Sequence, residues 1–429
     1  MTGDQPRRHT WWSVGAFLMM IVTVLVVLRD SPSTSEGLPA DPSAARTTER
    51  SERVRLTLAA LEDAWDTRNR VAFLTAAGPS PQSQAWAGQT YDALATLDAD
   101  EIGLRYVGEL STRTQAGRPG EFSAEVAVTW HPGIGPDPGY RTSSARVRMR
   151  LGDRGDGVVV LGLGPDAPAG RSSGALPLWL AGDLVEYGTP QARCMGIDTD
   201  LRKVACRRLT RVALQELAAV LPADLRTRTG GLLIVLPATV DQAAAVLGRS
   251  PLALTRIAGV AGTVDASGVP GAPQLVVLNP ERFVPLGRDD RQFVVIHEAV
   301  HVLTGAAAVV MPVWVREGFA DWVALRTGRI PLAQAAEQAL DAVRRVGPPR
   351  SLPRDAAFDS ARLRLAKSYQ QAWLVFWMLG ERYGTDAVVS FYTAVLDGAR
   401  VGPALEDAFG LTRADFSAAW RTRLEVLAG

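Results

Sequence analysis

The sequence predicts an α+β protein set behind a single N-terminal membrane-spanning helix. Three observations carry that expectation. Residues 11–28 (WWSVGAFLMMIVTVLVVL) are an uncharged apolar run. Across residues 53–166 a helical apolar period gives way to the alternation of strands. Residues 167–429 then mix short buried strands with helices and become mostly helical toward the C-terminus. A chain of 429 residues has room for two or three domains of ~150 residues. Its net charge of +1 and charged content of 21% give no sign of a nucleic-acid partner.

The apolar run holds 18 residues, close to the ~20 needed to cross a bilayer core. Arg7 and Arg8 precede it, while Arg29 and Asp30 cancel behind it. The positive-inside bias assigns residues 1–10 to a cytoplasmic tail, residues 11–28 to a plasma-membrane signal anchor and everything later to the outside. Val26-Val27-Leu28-Arg29 is too bulky for a small-x-small cleavage pattern, so the anchor is expected to stay uncleaved. Residues 29–52, rich in Ser, Pro, Thr, Ala and charge, read as a disordered tether.

From residue 53 to 166 the first folded unit is expected. Val54, Leu58, Leu61, Ala64 and Trp65 recur at helical spacing, and a second helix is predicted over 83–97. Phe122, Ala124, Val126, Val128 and Trp130 alternate as one strand; Ala145, Val147, Met149 and Leu151 alternate with Arg146, Arg148 and Arg150 as another. Residues 157–164 complete the set. Helices followed by a curved antiparallel sheet are similar to the ketosteroid-isomerase-like cone fold, a likeness of architecture that implies no activity. The arginine stripe reads as a solvent face, with a polyanion-binding surface as the alternative. His131, before Pro132 in a Gly/Pro-rich turn, reads as solvated.

A Pro/Gly/Ser-rich linker at 165–174 leads to the only two cysteines, Cys194 and Cys206. In an outside-facing chain they are expected to form a disulfide closing a small loop. Residues 214–221 and 243–247 read as helical, and residues 232–236, 257–264 and 274–278 as strands.

Residues 292–301 (QFVVIHEAVH) place His-Glu-x-x-His in an apolar, helix-period run and use two of the chain's four histidines. Four residues apart on a helix, His297 and His301 stand on one face and can take two corners of a zinc tetrahedron. Glu298 can reach a metal-bound water without being a ligand. Further on, Trp314-Val315-Arg316-Glu317-Gly318-Phe319-Ala320-Asp321 follows Pro312, a residue suited to a helix's first turn. Glu317 can supply a third ligand and leave the fourth position to water, the mark of a catalytic site. Asp321, one turn later, can accept the outer N–H of a liganding histidine and fix its tautomer.

At these residues the sequence resembles the peptidase-MA-like gluzincin metallopeptidases. They pair a His-Glu-x-x-His helix with a later Trp-x-x-Glu-Gly-x-Ala-[Asp/Glu] helix. The likeness covers roughly residue 232 to the C-terminus. It implies a Zn2+ cofactor held by His297, His301 and Glu317, with Glu298 as general base, Asp321 orienting a ligand, and a peptide or protein as substrate. No glycine or third histidine follows His301 as a metzincin requires. The resemblance also implies a strand beside the site helix that pairs with an extended peptide; residues 274–278 are the nearer candidate. A helix is predicted over 332–346 and another over 361–379. There Tyr369-Gln370-Gln371-Ala372 matches the family's Tyr-x-x-[Ala/Ser] pattern. Tyr369 is either a donor to the oxyanion or a core residue behind Trp373 and Phe376. Tyr383 and Tyr392 read as packing residues, and residues 386–427 as helical.

The expected function is that of a membrane-anchored, extracytoplasmic zinc metallopeptidase. The alternatives are a non-catalytic zinc-containing binding or structural module at the cell surface, and a hydrolase of wall amides on the same metal frame.

Overall fold

A computed structural model describes residues 42–110, 120–131, 142–164, 174–189, 191–200, 205–326, 330–359 and 365–429. The expected anchor at 11–28, the cytoplasmic tail before it and most of the 165–174 linker lie outside them. Among the described residues, no helix is long and apolar enough to cross a membrane. The architecture is α+β, built on two sheets.

Helix α1 (Pro42–Asp66) corrects the expected extent of the tether, because residues 42–52 are helical. Charge made this stretch look unstructured, yet one of its charged side chains, Arg50, has partners across the fold. Arg50 reaches Asp153 and Glu109, both at 3.0 Å, and Arg53 reaches Asp153 at 3.1 Å. After it, α2 (Arg70–Ala77) is capped by Asn69, whose side chain accepts the Ala72 N–H at 3.0 Å. Next, α3 (Pro81–Leu97) has Pro81 in its first turn and Ser80 accepting from the Ser83 N–H at 3.0 Å. The helices precede an antiparallel meander, β1 (Ile102–Leu110), β2 (Glu121–Trp130), β3 (Ser143–Asp153) and β4 (Val158–Leu163). Register sets Val126 against Val147 and Val128 against Ala145, so alternate residues share one buried face. In the same core, Trp65 and Phe73 meet Tyr91 edge-on at 5.2 and 5.5 Å. On the other face Arg146 pairs with Glu125 at 2.7 Å, the solvent-side arrangement expected of the arginine stripe.

The second sheet holds β5 (Leu184–Thr189), β6 (Ala192–Ile197), β7 (Leu232–Pro237), β8 (Gly259–Thr263) and β9 (Gln274–Leu278) in the order β5-β6-β7-β9-β8. Strands β6, β7 and β9 run parallel, and β8 returns antiparallel along β9. The edge beside the site is therefore β8, and the expectation that placed it at residues 274–278 is corrected. Leu275, Val276, Val277 and Leu278 form a continuous apolar run, the pattern of a strand covered on both faces. Cys194 on β6 is bonded to Cys206 at the start of α4 (Cys206–Ala218). Between β7 and β8 runs α5 (Val240–Val246), capped by Thr239.

The longer helices that follow among the described residues are α6 (Arg288–Thr304), α7 (Val313–Leu325), α8 (Glu337–Val346), α9 (Leu365–Leu396), α10 (Val401–Phe409) and α11 (Arg413–Ala428). The single helix expected over 332–346 is divided, with a turn at Leu332–Ala335 ahead of α8. Helix α9 outruns its expected end at 379 and changes direction at Gly384, where φ is 84°. A buried side chain is among the ties between the two units. Arg193 on β6 donates to the Thr96 carbonyl at 2.9 Å and the Leu97 carbonyl at 3.3 Å, capping α3. Glu186 holds the same guanidinium through two contacts of 2.7 Å.

Candidate metal centre

The site lies where α6 passes α7. Helix α6 opens with Asp289 and Asp290 in its first turn, complementing the helix dipole, and closes on Gly305 at φ 79°. Every residue from Phe293 to Thr304 is buried, so its two histidines have no solvent face. Helix α7 begins after Pro312, where the Asp355 carboxylate accepts the Val313 N–H at 3.0 Å. It is buried from Trp314 through Ala324. Gly318 allows this depth, because a Cβ there would stand 2.6 Å from the Ala372 carbonyl oxygen of α9. One turn of packing beside it, Phe319 stacks on Tyr392 with ring centres 3.7 Å apart.

The crossing gathers the side chains that the motifs singled out. His297 Nε2 lies 3.0 Å from His301 Nε2 and 3.2 Å from Glu317 Oε2. His301 Nε2 stands 3.4 Å from the same oxygen. A tetrahedral ion with bonds of about 2.0–2.1 Å separates its ligand atoms by about 3.3–3.4 Å, so this triangle has nearly the required edges. His297 Nδ1 is 2.9 Å from Asp321 Oδ1. With an ion on Nε2, that contact would place the ring proton on Nδ1, donated to Asp321. Three electron donors thus converge on one buried point, where only a cation or shared protons relieve their repulsion. The group His297, His301 and Glu317 could hold a metal ion.

Electrostatics follow from burial. His297, Glu298, His301, Glu317 and Asp321 are all wholly buried. Without an ion, burial opposes a charge on His297, but Asp321 and Glu317 outweigh it and raise its pKa to about 10. Burial draws His301 down to about 4, against the pull of Glu317. Glu317 itself overcomes its burial, since His301 and Arg316 hold it well below the usual carboxylate range. Burial raises Asp321 despite its bond to His297.

Glu298 sits apart from the ligand triangle. Its Oε2 accepts the Ala261 N–H of β8 at 2.8 Å, and its Oε1 is buried without a partner among the described residues. Burial, with His297 opposing, raises this carboxyl to about 7. The close approach of β8 depends on Gly259, where a Cβ would lie 2.8 Å from Val294 Cγ1 and 3.2 Å from Glu298 Cγ.

Tyr369 lies on α9, buried, with Phe358 edge-on at 5.2 Å. Burial, with the charges of Glu317 and Asp321, pushes its hydroxyl well above the usual phenol range. Tyr392 and Tyr383 pack as expected; the first also brings its hydroxyl 3.1 Å from Thr304 Oγ1, and the second stands 5.0 Å from Phe409. The disulfide and His131 lie outside the site. His131 Nε2 is 3.2 Å from Thr142 Oγ1 in the N-terminal unit.

Sequence reasoning passed over two partners. One is the Ala261 amide, which no side-chain pattern can reveal. The other is Arg316, whose Nε donates to Glu317 Oε1 at 2.8 Å from a side chain only 5% exposed. An arginine beside Glu317, in a helix whose remaining positions apart from Asp321 are apolar or glycine, was a visible signal. Comparison with family models, curated proteins and solved structures returned no match.

Proposed function

We propose that this chain is a gluzincin-type zinc metallopeptidase, anchored by residues 11–28 with its catalytic unit outside the membrane. One observation carries the reading. Two imidazole nitrogens and one carboxylate oxygen converge, while a second buried carboxylate, Glu298, stands by without joining them. His297, His301 and Glu317 would hold the zinc, and Asp321 would keep His297 in the tautomer that presents Nε2. When bound, zinc supplies Lewis acidity, polarising the scissile carbonyl and making water acidic near pH ~7.

The protein's own groups then move the protons. Glu298 takes one proton from the attacking water at Oε1 while the Ala261 amide fixes Oε2. The same carboxyl returns that proton to the leaving amine. Tyr369 keeps its proton at any ordinary pH and can donate it in a hydrogen bond to the carbonyl oxygen as charge builds there. As an edge strand, β8 is suited to pair with an extended peptide beside Glu298.

The complete burial of the five groups favours a second reading, a non-catalytic metal-containing module. Glu298 weighs against it, because a structural site closes all four positions with protein ligands and has no use for a base. Cleavage of a peptide library by the full chain, with and without chelator, separates the two. Glu298→Gln is expected to keep its metal and lose about 10²–10⁴ in rate. Unchanged hydrolysis in that variant refutes the base. A metal-loaded wild type with no chelator-sensitive cleavage favours the module.

A further inference from the structure

Arg316 and Glu317 are neighbours in sequence on one helix, and adjacent helical positions point in different directions. Their side chains nonetheless meet, Nε to Oε1 at 2.8 Å. The other oxygen, Oε2, is the one that faces His297 and His301, at 3.2 and 3.4 Å. The carboxylate is thus divided, with one oxygen committed to a guanidinium and the other to the metal position. Both residues are buried, Arg316 to 4% exposure and Glu317 completely. Desolvating a guanidinium costs several kcal/mol unless an anion and hydrogen bonds compensate, so this arginine is not a bystander on the helix surface.

We infer that Arg316 is a positioning residue that keeps Glu317 a one-oxygen ligand and thereby leaves a coordination position free on the metal. Carboxylates bind metals through one oxygen or through both. With Oε1 held by Arg316, the second mode is closed to Glu317. Were Oε1 released, it could turn inward beside Oε2, crowd the position that a catalytic site reserves for water and raise the ion from four ligand atoms to five. The positive charge of Arg316 also offsets that of Glu317, so the ligand set neutralises less of the ion's charge. This inference rests on the metal-ligand reading of His297, His301 and Glu317, and not on peptidase activity.

The test uses Co2+ as the probe, loaded into the full chain after its metal has been removed by chelator. Four-coordinate cobalt absorbs visible light several-fold more strongly than five- or six-coordinate cobalt. Wild type is expected to give the strong spectrum. Arg316→Met is expected to bind cobalt with a several-fold weaker spectrum, and Arg316→Lys, which keeps a cationic donor, to restore it. An Arg316→Met spectrum identical to wild type at full loading overturns the inference. If that variant is unfolded by circular dichroism, wild type decides. A weak spectrum then overturns the inference. A strong one, with the widely separated carboxylate infrared stretches of one-oxygen binding, supports it. If wild type takes up no stoichiometric cobalt, or His301→Ala keeps it, the ligand reading itself falls and the inference with it.

Discussion

Arg146 and Glu125, on the outer face of the N-terminal sheet, meet at 2.7 Å with side chains 57% and 25% exposed. His297, Glu298, His301, Glu317 and Asp321, between α6, α7 and β8, are not exposed at all. The first arrangement is the ordinary one. Water screens such a pair, which contributes about 0–1 kcal/mol and chiefly tells the strand which face is out. The second works against folding, since each buried charge costs several kcal/mol unless something compensates. Asp321 compensates His297, Arg316 compensates Glu317 and the Ala261 amide meets half of Glu298. What remains is a cluster of inward lone pairs that a divalent cation would satisfy. A region that carries buried charge at such a cost is where a bound ion would matter most, whereas a region that pairs charge at its surface has no such need.

The contrast can be broken at four depths. His301→Ala should abolish stoichiometric metal, read by elemental analysis after dialysis, and leave the N-terminal unit folded. Metal retained at full stoichiometry would show that the ligands are misassigned. Asp321→Asn should keep the ion but weaken it by about 10–100-fold, because the partner that fixes the His297 ring loses its charge; a competitive chelator titration measures this.

In the N-terminal unit, Asp153 offers the intermediate case. Burial pushes its carboxyl up, but the Gly155 N–H with Arg50 and Arg53 outweighs that and holds it below its ordinary value. A folded pKa below the unfolded one means stabilisation that is complete above the unfolded pKa and fades as pH falls through the folded pKa. Asp153→Asn should therefore cost about 1–3 kcal/mol near neutral pH. In urea melts its deficit should shrink toward acid, with metal content unchanged. A deficit independent of pH would contradict the assignment. Glu125→Ala, at the exposed pair, should change stability by about 1 kcal/mol or less. A larger loss by the same melts would mean that the outer face is not simply solvated.

Much of this was legible because it is local. The 3.6-residue period alone puts His297 above His301 and Glu317 above Asp321, whatever the rest of the chain does. Alternation likewise exposed β2 and β3, whose buried residues repeat every second position. Where local pattern failed, long-range partners had taken over. Residues 42–52 looked disordered because Arg50 finds its partners only once Glu109 and Asp153 have been brought near by the sheet. Strand β1 hid behind Gly103, Gly108 and a charged edge, and β5 behind a half-exposed one.

By itself, then, the amino-acid order determined which groups could bind a metal and on which helical faces they stand. Only the tertiary structure decided that those faces of α6 and α7 meet, while Gly318 lets α9 pack closely on α7 against Ala372. It also decided that β8 rather than β9 forms the edge, and which oxygen of Glu317 is left for the ion. The reason is one of range. Side-chain direction along a helix is set by the backbone dihedrals of a few neighbouring residues, whereas the crossing of two helices and the order of strands are set by how distant surfaces fill space together.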